Sequence, residues 1–192
     1  MPGIVLITTS YPDNTPGTEA AGSFVEDFAV ELSKQVPVSV VAASRNDSTR
    51  IDGNLTVRRF AVPMLPLSLL SVKNPTHWPA IAKSLRSGRI ALGNAIREHR
   101  PEHILALWVL PSGWWARAES RRHGVDFSTW ALGSDIWSLA RQPGVRGVLQ
   151  HVLRAATLRY ADGMALCDDV ERISGESCSF LASSRKLPIR TP

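Results

Sequence analysis

The sequence contains little cysteine and no long apolar run, and both shortages exclude classes of protein. Cys167 and Cys178 are the only cysteines among 192 residues, so a disulfide-stabilised scaffold is excluded. Their spacing is not that of metal ligands, and we expect free thiols in a reducing cytoplasm and no metal site. The longest apolar candidate, residues 61–72, falls short of the ~20 residues that span a bilayer. Pro63 and Pro66 also interrupt it.

The common fingerprints of phosphate and nucleic-acid binding are also missing. Gly17 and Gly22 of the first loop do not form G-x-G-x-x-G, and no G-K-S/T follows. The formal net charge of +5 and the pI near 9.8 invite an acidic partner, but no helix-turn-helix, zinc or RNA-binding signature accompanies them. We therefore expect no nucleic-acid partner. Spacing alone identifies no catalytic residue, since the histidines show no ligand pairing and no Ser-His-Asp set is evident.

Alternating strands and helices are what the sequence does contain. Short apolar runs predict strands, and apolar residues at a spacing of three to four predict helices. The order favours an α/β fold, a Rossmann-like doubly wound parallel sheet with helices on both faces, in one domain over residues 1–185. Ser23 and Glu26 have the spacing of a capping box at the first helix. The predicted strands are residues 4–8, 38–42, 55–60, 103–109, 127–131, 164–167 and 179–182. The predicted helices begin at Ser23, cover 79–100 and 112–123, follow Pro143-Gly144, and include a brief one capped by Asp168 and Glu171.

The helix predicted over 79–100 is strongly basic on one side. Its apolar residues and its cations fall on separate sectors at ~100° per residue. A solvated outer face is the favoured interpretation. The alternative is that these cations contact the inner face of an anionic membrane, or a lipid-linked phosphate. The cations concerned are Lys83, Arg86, Arg89, Arg97 and Arg100.

Candidate binding residues lie where predicted strands stop at small and polar residues. In a parallel α/β sheet, the carboxyl ends of the strands open into the ligand crevice. Each candidate also has a purely structural interpretation: an N-cap, a tight turn or, for tryptophan, a place in the core. The predicted substrate-binding residues are Gly22, Ser23, Trp108, Ser112, Gly113, Gly133, Ser134 and Asp135.

Five short motifs, taken in order, resemble one family. They are Ser10-Tyr-Pro12, Gly22-Ser-Phe-Val-Glu26, Trp108-Val-Leu-Pro-Ser-Gly113, Leu132-Gly-Ser-Asp-Ile-Trp137 and Tyr160-Ala-Asp-Gly163. Together they resemble the N-terminal, acceptor-side domain of family 4 glycosyltransferases. The resemblance extends to about Arg185 and implies the N-terminal half of a GT-B fold, in which two Rossmann-like domains face each other across a cleft. Residues 186–192 then begin an interdomain linker, and the C-terminal donor-binding domain is absent.

The resemblance also implies a reaction. A retaining, metal-independent hexosyltransferase would move a sugar from a nucleotide-diphosphate sugar to a hydroxyl acceptor, with no bound cofactor. The expected partners are a sugar or lipid-linked acceptor and a separate C-terminal donor-domain chain, without which this cytoplasmic chain is inactive. An exposed apolar patch near residues 61–72 and 187–189 would suit docking of that domain.

Two departures from the family qualify this prediction. Leu132 stands where the family commonly has a histidine, so no catalytic histidine is assigned, and nothing after Arg185 supplies the diphosphate-binding residues.

The main alternative is a non-catalytic sugar- or partner-binding subunit of GT-B-like fold. A flavodoxin-like protein is a further alternative, and it would require a bound cofactor. If Asp135 contacts substrate, Asp135→Asn should leave stability nearly unchanged and lower activity at least ~10-fold.

Overall fold

A computed structural model describes residues 3–12, 22–142 and 144–184. Its eight strands form one sheet in the order β3-β4-β2-β1-β5-β6-β7-β8, parallel except for the antiparallel β3–β4 pair. The strands are β1 Ile4–Thr8, β2 Val38–Ser44, β3 Ser48–Asp52, β4 Leu55–Ala61, β5 His103–Leu107, β6 Asp126–Ala131, β7 Leu158–Ala161 and β8 Ser179–Phe180. The helices are α1 Ser23–Ser33, α2 Trp78–His99, α3 Trp114–His123, α4 Ser134–Trp137, α5 Val145–Ala155 and α6 Met164–Ser174.

Helices cover both faces of the sheet, which confirms the predicted fold class. Helix α1 packs on one face through Val25 and Ala29. Helices α2, α3, α5 and α6 pack on the other, where they bury the larger core cluster. This division follows from right-handed crossovers: the chain moves from β1 to β2 in one direction and from β4 through β5 to β8 in the other.

A close helix contact fixes the position of α3. The Trp115 side chain is fully buried, donates its indole N–H to the Leu85 carbonyl at 3.0 Å and lies edge-to-face with Phe60. A Cβ on Gly88 of α2 would lie 2.3 Å from the Trp115 ring. Glycine at this position therefore lets α2 and α3 approach closely enough to enclose the indole.

Helix α2 matches the predicted basic helix to within a residue at each end. Its buried residues, among them Ala91, Leu92 and Ile96, pack into the larger core cluster, whereas Ile90 is exposed. Of the five predicted cations, Arg89 is half-buried and the other four are exposed, so the basic sector faces outwards. No helix in the described part of the chain is long and apolar enough to cross a membrane. Membrane contact through α2 stays a prediction.

One strand prediction was wrong, and one strand was missed. Residues 164–167 form the first turn of α6, because Leu166, Cys167 and Val170 are buried at helical spacing; Asp168 and Glu171 lie inside this helix and do not cap it. The strand expected there is β7, a few residues earlier. Strand β3 was missed because all five of its residues are exposed and carry no apolar pattern.

The predicted helix starts also need correction. Ser23 is the first residue of α1 and makes no capping bond, so the Ser23–Glu26 capping box is absent. Instead the Gly22 carbonyl accepts the N–H groups of Val25 and Glu26. Helix α3 begins at Trp114, two residues later than predicted, after an irregular turn over Val109–Gly113. The predicted linker, residues 186–192, and most of the first loop lie outside the described residues.

Candidate functional site

The predicted site residues lie on loops that leave one edge of the sheet. Strands β1, β5 and β6 are adjacent and parallel, so the loops after their carboxyl ends are neighbours. Gly22-Ser23 follows β1 through the first loop, Trp108–Gly113 follows β5 and Gly133–Asp135 follows β6. The structure therefore places all three segments at the edge where α/β proteins bind their ligands.

Gly22 brings the start of α1 against the end of β1. Its φ is +78°, and a Cβ there would lie 2.5 Å from the Ser10 carbonyl oxygen. Only glycine meets both requirements without strain. The first N–H groups of a helix have no acceptor within the helix. Because α1 begins at this edge, the N–H groups of Ser23 and Phe24 point towards it.

Trp108 turns the chain out of the sheet directly after β5. Its backbone has φ +65°. A bulky residue adopts this left-handed conformation at a cost of ~1–3 kcal/mol, and residues strained in this way cluster at functional sites. The Trp108 N–H donates to the Trp130 carbonyl at 3.0 Å, and its half-buried ring lies edge-to-face with Phe24. Trp108 thus forms a wall between α1 and β6, and its stacking on a substrate stays a prediction.

Asp135 is buried and connects two of the loops. Its Oδ2 accepts the Val109 N–H at 2.6 Å, and its Oδ1 accepts those of Leu132 at 3.3 Å and Ile136 at 3.2 Å. Burial raises the pKa of this carboxyl, and the backbone donors oppose the rise. With 1% of Asp135 exposed and both oxygens engaged, the carboxylate joins the loops after β5 and β6, and the direct substrate contact predicted from the sequence stays a prediction.

Three more of the predicted residues are buried. Ser112 is fully buried, and its hydroxyl has no partner among the described residues. A Cβ on Gly113 would lie 2.7 Å from Val152 of α5, so this glycine serves helix packing. Gly133 has φ +101° and forms the turn into α4, against the Trp137 ring. Ser23 and Trp108 are partly exposed and Ser134 is exposed, so these three can reach a ligand directly.

Tyr11 is a residue of this edge that the sequence analysis did not assign to the site. It is buried, and its hydroxyl has no hydrogen-bond partner among the described residues. The Arg59 guanidinium lies over its ring at 5.7 Å and donates to the Pro12 carbonyl. Burial, with a smaller contribution from Glu26, raises the pKa of Tyr11 to about 12, against the opposing effect of Arg50 and Arg59. Arg59 belongs to β4 and is 47 residues from Pro12 in the chain, so the sequence alone does not show that Arg59 lies beside Tyr11.

In the described ranges, no group of three or more His, Cys, Asp or Glu side chains is placed to hold a metal ion. Leu132, where the resembled family commonly has histidine, is half-buried and packs against the core cluster beneath α1. Asp162, at the end of β7, accepts a hydrogen bond from the Ser183 hydroxyl at 2.6 Å.

Comparison with solved structures identifies the fold. The sequence matches no protein-family model and no curated protein. Sucrose-phosphate synthase from Thermosynechococcus elongatus is similar with a TM-score of 0.67 at 11% identity, over 95% of this chain and 48% of that one. UDP-N-acetylglucosamine 2-epimerase from Rickettsia bellii gives 0.58 at 10% identity, over 95% and 45%. Anabaena HepE, solved in complex with UDP and glucose, gives 0.55 at 14%, over 95% and 44%.

These similarities establish the fold of a GT-B domain. The chain spans about half the length of each structure it matches. The Rossmann-like sheet with helices on both faces is therefore shared with such proteins. Identities of 10 to 14% carry the comparison no further than the fold.

Proposed function

We propose that this chain is the acceptor-side half of a glycosyltransferase of the family 4 type. The observation that carries the proposal is the match of nearly the whole chain to about half of a GT-B structure, together with three loops that meet at the edge bearing the predicted substrate-binding residues. The reaction would transfer a sugar from a nucleotide-diphosphate sugar to a hydroxyl acceptor in the cytoplasm. The complex of Anabaena HepE with UDP and glucose supports that donor class.

In this proposal the cleft at the ends of β1, β5 and β6 holds the acceptor. Ser23 and Ser134 offer hydroxyl groups, and Trp108 offers an aromatic face for a sugar ring or the apolar part of a lipid-linked acceptor. Asp135 holds the loops that carry Trp108 and Ser134 together through its hydrogen bonds with the N–H groups of Val109 and Leu132. Fixing the acceptor in this way makes its attack effectively unimolecular once a donor is in place.

A second domain would bind the donor, as the family resemblance implies. We expect the isolated chain to show no transferase turnover and no saturable binding of UDP-glucose in calorimetry. A micromolar dissociation constant for this nucleotide sugar with the chain alone would contradict the division of labour. Exposed apolar side chains at Met64, Leu69 and Val72 offer a surface against which that domain could pack.

The decisive experiment reconstitutes the two halves. The coding sequence downstream would be read for a donor-binding domain, any such domain would be expressed with this chain, and sugar transfer would be measured over a panel of nucleotide sugars and hydroxyl acceptors. Ser134→Ala should raise KM for the acceptor, by up to ~10-fold if its hydroxyl makes one hydrogen bond. Ser138→Ala is the matched control, because Ser138 is also exposed but lies at the other end of α4. Equal effects of the two variants would contradict the placement of the acceptor.

Two side chains at this edge favour a second candidate function. Leu132 supplies no proton-transfer group, and the carboxylate of Asp135 is engaged with backbone donors. A non-catalytic sugar- or partner-binding subunit would need neither group. It would bind a saccharide or a partner chain saturably while the reconstituted pair transfers no sugar from any donor. That combination of results would replace the proposed activity with this one.

A further inference from the structure

The outer helical layer contains a basic groove that the proposed function does not use. Two adjoining cavities share the side chains of Trp114 and Arg117. One, of about 460 Å³, lies between α2 and α3 and is lined by Arg89, Trp114, Arg117, Ala118, Arg121 and Arg122. The other, of about 390 Å³, lies between α3 and α5 and includes Val148 and His151. None of the predicted substrate-binding residues lines either cavity.

The positive charge of this groove is only partly compensated. Glu119 of α3 is buried and is the one carboxylate paired with its arginines among the described residues. Its Oε1 accepts Arg89 Nε at 3.0 Å, and its Oε2 lies 3.9 Å from Arg122. His123 Nε2 also lies 3.3 Å from Oε2. Four guanidinium groups against one carboxylate leave a strong positive excess.

Arg117 and Arg121 carry this excess. Neither makes an ion pair with a described carboxylate. Arg117 lines both cavities, its Nε is buried, and no described acceptor lies within hydrogen-bonding distance of that atom. A buried donor without an acceptor is costly, and an oxyanion in the groove would satisfy it. The planar guanidinium fork matches the oxygens of a phosphate group, with two parallel hydrogen bonds.

Trp114 adds an apolar wall beside these donors. It is half-buried, belongs to both cavities, and has the Arg89 guanidinium 5.9 Å from its ring centroid. Arg121 and Arg122 lie in the last turn of α3, where their charge also complements the helix dipole without a carboxylate partner for Arg121. The helix dipole does not account for Arg117, which lies in the first turn of α3.

We propose that the groove between α2, α3 and α5 is a binding site for a phosphate-bearing anion. Arg117 and Arg121 provide the phosphate contacts, and Trp114 packs against the apolar part of the ligand. The same chemistry could be presented by a free phosphate compound or by an anionic lipid headgroup. Both would bind through ionic contacts that weaken as the salt concentration rises.

The test uses the full chain with two ligands. Pyrophosphate would be titrated by calorimetry, and vesicles of phosphatidic acid in phosphatidylcholine would be tested by co-sedimentation, with pure phosphatidylcholine vesicles as the blank. Arg117→Gln and Arg121→Gln should each weaken binding about 10-fold. Arg146→Gln is the matched control, since Arg146 is exposed on α5, loses the same charge and lines neither cavity. Its binding should stay within about twofold of the unaltered chain.

Each outcome decides the proposal. Arginine-dependent binding of pyrophosphate alone supports the site and indicates a free phosphate ligand, whereas arginine-dependent binding of the vesicles alone supports it and indicates a lipid headgroup. No saturable binding of either ligand, or an equal loss in Arg146→Gln, overturns it. If Arg117→Gln fails to fold, as judged by circular dichroism, the exposed Arg121→Gln variant gives the same decision.

Discussion

Replacing Asp135 with asparagine exchanges one of two buried hydrogen-bond acceptors for a donor. The carboxylate of Asp135 receives three backbone N–H groups, one on Oδ2 and two on Oδ1. The amide oxygen of asparagine can serve only one of these sides. Its NH₂ group must then face either the Val109 N–H or the N–H groups of Leu132 and Ile136. A simple cap would tolerate asparagine, but this two-sided acceptor should not.

The magnitude follows from the lost contacts. A hydrogen bond to a charged group contributes ~1.5–3 kcal/mol, and a buried donor left without an acceptor costs ~1–3 kcal/mol. Removing a buried charge offsets part of this loss, because burial disfavours the ionised form of Asp135. We expect Asp135→Asn to lower the free energy of unfolding by about 2 kcal/mol. This differs from the sequence-based expectation of nearly unchanged stability.

Urea denaturation followed by tryptophan fluorescence provides the assay. With a slope of ~2 kcal/mol per molar urea, the transition midpoint should fall by about 1 M. Asp168→Asn is the control, since Asp168 is exposed on α6 and loses the same charge. It should change stability by no more than ~0.5 kcal/mol. Coincident midpoints for the two variants would refute the assignment of Asp135 as the residue that joins the loops.

Two further predictions concern stability. Gly22→Ala should destabilise the chain by at least ~2 kcal/mol, because its Cβ would meet the Ser10 carbonyl at 2.5 Å. Gly124→Ala is the control, because Gly124 has a similar φ of +68° but a Cβ there would meet no atom within 4 Å. It should lower the free energy of unfolding by only about 1 kcal/mol. Equal losses of stability for the two variants in urea would contradict the close approach of Gly22 to the Ser10 carbonyl. Burial raises the pKa values of Tyr11 and Cys178 to about 12. Because the unfolded chain loses these protons at lower pH, their stabilising contribution is complete below about pH 9 and declines towards pH 12. The melting temperature should fall across this range, and less steeply in Tyr11→Phe; a flat profile would count against both shifts.

The sequence by itself determined the fold class and the edge at which the candidate site lies. Apolar, β-branched runs such as residues 4–8 and 38–42 specify buried strands regardless of their neighbours, and β1 was found with its predicted ends. Helix α2 was found from its period because a long amphipathic pattern has few alternatives. The order of strands and helices then placed three polar loops at the carboxyl ends of parallel strands.

Only the tertiary structure decided which way the side chains on those loops face. Asp135 receives the Val109 N–H across 26 residues, and Arg89 meets Glu119 across 30. The short run at 164–167 suited a strand or a helical turn equally well, and packing of α6 against α5 and β7 selected the helix. Local pattern sets the period of an element, but the direction of a carboxylate and the meeting of two helices depend on contacts between residues far apart in the chain.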